Sequence, residues 1–313
     1  MAYSRFLLVI ALALPCAAQL SLGGVGTDTS HVPAFASVLN DPSNPNHIPG
    51  ARIVAAYKGG SADLESSATR VDKYADEVKT KYGVEIVPDI ATLLTKVDAV
   101  LLESVDGRIH LSQFREIAKG GKPVFIDKPL AASIKDAREI ARIGKQMNVK
   151  WFSSSSLRYG PGIDALKQPG LKGVMAWGPG PVEPSHELEL TWYGIHTVEI
   201  LYTLMGTGCQ QVTMTSSPDS DVITGRWKDG RLGTIRVNRP YSDFGAAVVT
   251  PKTVLSKTGK EFSSGYYGLI KEIVKFFQTG VSPVPEAETM EMFEFMEAAR
   301  QSKIKGGVPV PVQ

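Results

Sequence analysis

The chain has 313 residues, 43% of them hydrophobic, and a formal net charge of +2. That length buries a large core and suits two domains. A charge so close to balance gives no general attraction to nucleic acid or to an acidic membrane surface, so no nucleic-acid partner is expected.

At the N-terminus, MAYSRFLLVIALALPCAAQL combines Arg5, an apolar run from Phe6 to Leu14 and small residues at Cys16, Ala17 and Ala18. This is the pattern of a secretory signal peptide over 1–18, with cleavage expected after Ala18. The apolar run is too short to span a bilayer. The expectation is an exported protein, periplasmic or extracellular, with no membrane attachment after cleavage. No twin arginine is present, which points to the Sec route and an unfolded passenger. Cleavage leaves Cys209 as the one cysteine, so no intrachain disulfide can form.

From Leu20 short apolar runs alternate with helix-length segments: LSLGGVG, then RIVAAY at 52–57, VDAVLL at 97–102, KPVFI at 122–126 and VKWFS at 149–153. Such runs predict parallel strands covered on both faces. The helix after VDAVLL carries Leu111, Phe114, Ile117 and Ala118 on one face. The helix after Pro129 carries Ile134, Ala137, Ile140 and Ala141, with Ser133 placed to cap it. The fold class is therefore α/β, with a doubly wound Rossmann-type sheet over 19–150.

Beyond Ser156 the strands KGVMAW, QVTMT, VITGRW, RLGTIRV, AAVVT and TVLS are joined by Gly, Pro and Asp turns. Lys228-Asp229-Gly230-Arg231 between two alternating runs predicts a hairpin. The expectation for 151–313 is an α+β domain with an open antiparallel sheet, serving substrate binding and oligomerisation. Two helices close the chain, one with Ile270, Ile273, Val274 and Phe277 on a face, the other with Met290, Phe293 and Met296.

KPVFI ends in Asp127-Lys128-Pro129, which puts an ammonium at the carboxyl end of a parallel strand, where open α/β sheets place their ligands. Further on, TWYGIHTVEILYTLMG predicts a helix whose apolar stripe is Ile195, Val198, Leu201, Tyr202 and Met205, with His196 at its edge and Glu199 one turn on. No CxxC or HExxH pattern occurs and the five histidines are scattered, so no metal site is expected. The run SSSS at 153–156 lacks the glycine frame of a nucleophilic serine turn.

Taken in order, Asp127-Lys128-Pro129, LESVDGRIHL, Leu157-Arg158-Tyr159, the His196 helix and the end AARQSKIKGGVPVPV resemble the Gfo/Idh/MocA family of sugar and polyol oxidoreductases over essentially the whole mature chain. The resemblance implies that Lys128 lies beside the nicotinamide and the substrate hydroxyl, and that His196 accepts or relays the proton that leaves with the hydride. Such roles suit a lysine of lowered pKa and an imidazole titrating near neutrality. It further implies cofactor contacts from Gly24, Gly26, Thr27, Thr29, Ser30, His31, Ser104, His110, Asp127 and Lys128, and substrate contacts from Arg158, Trp192 and Tyr193. Relatives of this kind pair through the open face of the second sheet, so a homo-oligomer is expected.

Three departures qualify this. The family's GxGxxG stands here as Gly26-Thr27-Asp28-Thr29-Ser30-His31, where Asp28 repels a pyrophosphate unless it turns away to cap the following helix. The next strand ends on Lys58 rather than on an acid, which slightly favours NADP over NAD in an NAD(P) site. Trp192 stands where many relatives carry an aspartate, four residues before the histidine. An aromatic plane can stack on a sugar ring but relays no proton; His186, Glu187 and Glu189 are the nearest substitutes.

The leading expectation is an NAD(P)-dependent oxidoreductase acting on a carbohydrate-like hydroxy compound. Two others stand beside it: a redox-neutral glycosidase or epimerase that keeps its dinucleotide bound, and a non-catalytic carbohydrate-binding protein that kept the fold.

Overall fold

Apolar runs with no polar face become central strands, and the first half of the computed structural model follows that rule. Residues 19–263 and 265–313 are described; the expected signal peptide, 1–18, lies outside the described residues. In chain order the first half runs β1 (Leu20–Val25), α1 (His31–Asn40), β2 (Ala51–Tyr57), α2 (Glu65–Ala68), α3 (Val71–Tyr82), β3 (Glu85–Val87), α4 (Ile90–Leu94), β4 (Ala99–Leu102), α5 (Gly107–Ala118), β5 (Val124–Asp127), α6 (Ile134–Gln146) and β6 (Trp151–Ser154). The strands pair in parallel in the order β3-β2-β1-β4-β5-β6. That is the doubly wound order whose direction reverses between β1 and β4. β4 and β5 are buried at every position.

Local chemistry sets the helix ends. Ser133 caps α6 by accepting the Asp136 N–H at 3.1 Å, Asp106 caps α5 by accepting that of Arg108 at 2.9 Å, and α3 stops at Gly83, whose φ of 68° suits a residue without Cβ. The three-residue edge strand β3 carries too few apolar positions to be foreseen from its alternation.

The second half follows with a 3-10 turn at Ser156–Tyr159, α7 (Pro161–Leu166), β7 (Gly173–Pro179), α8 (Ile195–Met205), β8 (Cys209–Ser217), β9 (Ser220–Trp227), β10 (Leu232–Asn238), β11 (Gly245–Val249), β12 (Val254–Thr258), α9 (Tyr267–Thr279), α10 (Glu286–Ile304) and β13 (Val310–Pro311). The hairpin at 228–231 is present: β9 and β10 pair antiparallel and the Trp227 N–H donates to the Arg231 carbonyl at 2.9 Å. The sheet, in the order β12-β11-β7-β10-β9-β8-β13, is mixed rather than antiparallel throughout. β7 and β10 run parallel, because the chain leaves β7 through α8 and the β8–β9 hairpin before it returns beside it. α8 and α10 cover one face. The other face leaves Met175, Leu232 and Val254 about half exposed, at 48%, 53% and 58%.

Two segments cross the domain division expected at 150/151. β6 completes the first sheet against β5, and α9 returns to that sheet. The apolar face of α9 supplies Leu269, Ile270, Ile273 and Phe276 to a core that also holds Leu22, Phe35, Phe125 and Phe152. Phe276 meets Phe152 edge-on at 5.0 Å between ring centroids.

Candidate functional site

The carboxyl ends of the parallel strands face the second domain across a cleft of about 680 Å³. The start of α1 enters it with Thr29, Ser30 and His31, the residue after β5 with Lys128, and the start of α8 with Trp192, Tyr193 and His196.

Lys128 follows directly on β5 and precedes a cis peptide bond to Pro129. Its Nζ stands 5.9 Å from the centre of the Tyr193 ring, within reach of a cation–π attraction. Burial lowers its pKa from the ordinary 10.5, with Asp127 acting in the opposite sense. Asp127 is itself buried, with Oδ2 at 2.7 Å from His31 Nδ1. Burial pushes that carboxyl up, but His31 and Lys128 outweigh it, and its pKa is lowered.

His196 touches Ser155, Tyr193 and Phe244. Nδ1 lies 2.7 Å from Ser155 Oγ, and the ring meets Tyr193 at 5.5 Å and Phe244 at 5.4 Å between centroids. Burial first, then the charges of Lys128 and His31, push His196 well below its ordinary 6.5, so the ring is neutral at neutral pH. In the tautomer whose Nδ1–H donates to Ser155, the Nε2 lone pair is available to take up a proton. Ser155 was overlooked in the sequence: the run SSSS invites a search for a nucleophile, whereas this hydroxyl orients an imidazole.

Several residues expected at the site serve the fold instead. Arg158 is buried, pairs with Glu199 and with Glu288 Oε1 at 2.6 Å, and does not line the cleft. A guanidinium facing two carboxylates in the interior has no reason to turn to a substrate. His110 is fully buried between the carbonyls of Ser104 at 2.7 Å and Leu130 at 3.3 Å, which makes it a brace under the loop after β4. Gly24 lies inside β1, paired with Ala56 and Leu101. Thr27 is buried, with Oγ1 donating to the Val71 carbonyl at 2.8 Å. Gly26, at φ 95°, approaches so close that a Cβ there would come within 2.4 Å of the Ser104 backbone N. Lys58 reaches outward to Asp72 at 2.7 Å.

Asp28 turns away from the cleft, as a pyrophosphate would require, but not to cap α1. Its Oδ2 accepts from Ser67 Oγ at 2.6 Å and its Oδ1 from the Val105 N–H at 3.1 Å. Ser30 occupies the α1 cap position without a side-chain capping bond.

The three proposed stand-ins for the missing acid are committed elsewhere. His186 is buried between Thr191 Oγ1 at 3.1 Å and Asp106 Oδ1 at 3.3 Å, Glu189 pairs with Lys303 at 2.8 Å, and Glu187 is exposed beside Arg300. Trp192 meets His186 edge-on at 5.2 Å. Cleft residues that the sequence did not single out include Arg70, Tyr241, Phe244, Lys260 and Tyr266, all from loops or turns remote in the chain from Lys128 and His196.

Residues 44–154 match the model of the Gfo/Idh/MocA family, described as an oxidoreductase family with an NAD-binding Rossmann fold. Among curated proteins, the chain is 30% identical to an inositol 2-dehydrogenase of Rubrobacter xylanophilus over 131 residues, 41% of this chain and 34% of that protein. It is 24% identical over 164 residues to an uncharacterized oxidoreductase of Streptococcus pneumoniae, 45% of this chain and 43% of that protein. The matches thus span less than half the length of either relative. Among solved structures, GenD2 from gentamicin A biosynthesis in complex with NAD superimposes with a TM-score of 0.74 at 15% identity, covering 97% of this chain and 99% of that one. A myo-inositol dehydrogenase from Lactobacillus casei in complex with NAD(H) and myo-inositol gives 0.71 at 18% identity, covering 94% and 97%. At such identities the likeness is one of fold. The family likeness thus lies within residues 44–154, in the parallel-sheet half of this chain.

Proposed function

We propose that this protein is an oxidoreductase that exchanges a hydride between NAD or NADP and a hydroxyl-bearing carbon of a sugar, polyol or related compound. One observation carries the reading: Lys128 and a neutral His196 face the same cleft, each beside Tyr193. A neutral imidazole takes the hydroxyl proton as a general base, and an ammonium beside the oxygen favours the alkoxide that forms. Tyr193 and Trp192 offer aromatic faces of the kind that pack on sugar rings.

The residues at this end of the cleft fit a nicotinamide, which when bound supplies the hydride acceptor or donor. The far end does not fit in the same way, since the crevice between β1 and β4 is spanned there by the chain's own hydrogen bonds. Lys58 stands in an exposed ion pair with Asp72, a contact of little strength, and NAD and NADP are proposed equally.

The N-terminal pattern supports a proposal of export. The half-exposed Met175, Leu232 and Val254 support pairing of two copies through the open face of the mixed sheet.

The test is a screen of inositols, aldoses and sugar acids with NAD and with NADP, read by formation of reduced nicotinamide, followed by Lys128→Met on any substrate found. Loss of turnover in the variant is expected. Unchanged turnover would sink the assignment of Lys128 and the reading built on it.

A further inference from the structure

Open α/β sheets bind dinucleotides across the carboxyl ends of their strands at the switch point, with the adenosine half between the loops that follow the first, second and fourth strands of this order. In this chain that space holds protein. The stretch from Lys58 to Val71, between β2 and α3, folds back over those three strand ends and is fastened there by buried groups. Ser67, fully buried, donates to Asp28 at 2.6 Å, and its Oγ accepts the Ser61 N–H at 2.7 Å. Asp28, also fully buried, takes the Val105 N–H from the loop after β4 at 3.1 Å. Ser61 Oγ donates to Asp106 at 2.6 Å, a bond that joins the loop after β2 directly to the loop after β4. Arg108 closes the same span from outside, pairing with Asp106 at 2.7 Å and with Asp63 at 2.9 Å.

These carboxylates are the reason the span is firm. Burial acts to raise Asp106, but His186, Arg108 and Ser61 overcome it and hold the group in its charged form. Asp28 stands where the family has its second glycine, the residue whose lack of a side chain lets a pyrophosphate approach. The departure at the phosphate loop and the stretch after β2 are thus two halves of one contact.

We propose that residues 58–71 form a strap that occupies the adenosine end of the crevice and must detach before a dinucleotide binds. The proposal rests on the oxidoreductase reading above and adds to it a closed state that competes with the cofactor. The apparent affinity for a dinucleotide is then the intrinsic affinity reduced by the fraction of molecules whose strap is open. The reacting end around Lys128, Tyr193 and His196 stays accessible in the closed state. A mononucleotide that reaches only that end meets the strap at Ser66 and Arg70, which line the same cleft, but does not need it to detach.

The experiment compares the full mature chain with S61A, S67A and the double variant, using NAD, NADP, ADP-ribose and nicotinamide mononucleotide as probes in equilibrium titrations. Removing the two hydroxyls weakens the closed state by two buried bonds to carboxylates, which predicts about 10- to 100-fold tighter binding of the dinucleotides and of ADP-ribose to the double variant. Nicotinamide mononucleotide is expected to bind all forms alike. Equal, saturable dinucleotide binding to wild type and double variant overturns the strap and leaves the oxidoreductase reading standing. No binding of any probe to any form overturns both.

Should the double variant fail to fold, hydrogen exchange on the wild type decides. The Ser61 amide, now bonded to Ser67, is expected to lose protection when NAD or NADP is added to saturation. Retained protection in the saturated protein overturns the proposal.

Discussion

The hydroxyl of Ser155 serves two partners at once: its Oγ lies 2.7 Å from Nδ1 of His196 and accepts the Leu157 N–H at 3.2 Å. The same residue gives its own N–H to Glu199 at 3.2 Å, on the helix that carries His196. The end of β6 and the start of α8 are therefore locked together by one serine, and the imidazole is oriented by that lock. Ser155→Ala is expected to lower kcat by roughly 3- to 10-fold, the value of one neutral hydrogen bond, with KM little changed. Ser155→Thr keeps the hydroxyl and is expected to recover most of the loss. A steady-state comparison of the three proteins decides it; an alanine variant as fast as wild type would remove Ser155 from the positioning role.

His196 also predicts how stability depends on pH. Burial, with Lys128 and His31 adding to it, holds the folded ring well below its ordinary 6.5. Between the two values the unfolded chain binds a proton that the folded chain refuses, so stability rises with pH there. Acidification through about pH 6.5 therefore destabilises the protein. His110, whose pKa is lowered by burial, acts in the same direction. In urea denaturation at a series of pH values, His196→Gln is expected to flatten part of the slope. A slope identical to wild type would show that folded His196 titrates normally.

Arg158 illustrates a charge that holds the molecule together without touching the cleft. It is buried with Glu199 and Glu288, and burial alone would lower its pKa, yet the two carboxylates raise it. Arg158→Met leaves both acids facing an apolar side chain, and a loss of about 3–5 kcal/mol is expected, the usual result of breaking one side of a buried ion pair. The triple change R158M/E199Q/E288Q is expected to regain part of it. Denaturant titration measures both. In whatever folded fraction remains, KM for a sugar-like substrate should be close to wild type, whereas a substrate-binding arginine would raise it many-fold.

Much of this was legible in the chain because the signals are local. Strands such as VFID and AVLL are buried at every position and, Asp127 apart, apolar, and a lysine directly after one of them lies at the carboxyl edge by the geometry of the sheet. The His196 helix and the Lys228-Asp229-Gly230-Arg231 turn are likewise set by short-range periodicity and turn chemistry. What could not be foreseen depends on partners far apart in sequence. Arg158 finds Glu288 across 130 residues, and α9 fits the Phe152 side of the first sheet after all strands of the second sheet but β13 have been laid down. No composition or spacing near Leu157-Arg158-Tyr159 announces an internal ion pair rather than a substrate contact. Asp28 is intermediate: its misfit in a phosphate loop was visible, but its partner Ser67 lies 39 residues on, and only the fold brings them together.

Glu103 is the last element of this charge pattern and the one whose removal should help. It sits fully buried just beyond β4, and neither carboxyl oxygen has a hydrogen-bond partner among the described residues. Burial, then the nearby Asp127 and Asp28, raise its pKa well above 4.5, so the folded state keeps the group protonated where the unfolded chain ionises it. For a group raised on folding, stability is fully present below the unfolded value and is lost as pH rises toward the folded one. Glu103→Met removes both the titration and the unpaired oxygens. Relative to wild type it is expected to gain about 1–3 kcal/mol at pH 7 and less at about pH 4, where the wild-type carboxyl is protonated in both states. Chemical denaturation of the two proteins at both pH values gives the comparison as a difference, in which the common contribution of His196 cancels. A gain independent of pH would mean that the carboxyl is not held protonated, and a loss would mean that it has a partner whose contribution exceeds the cost of its burial.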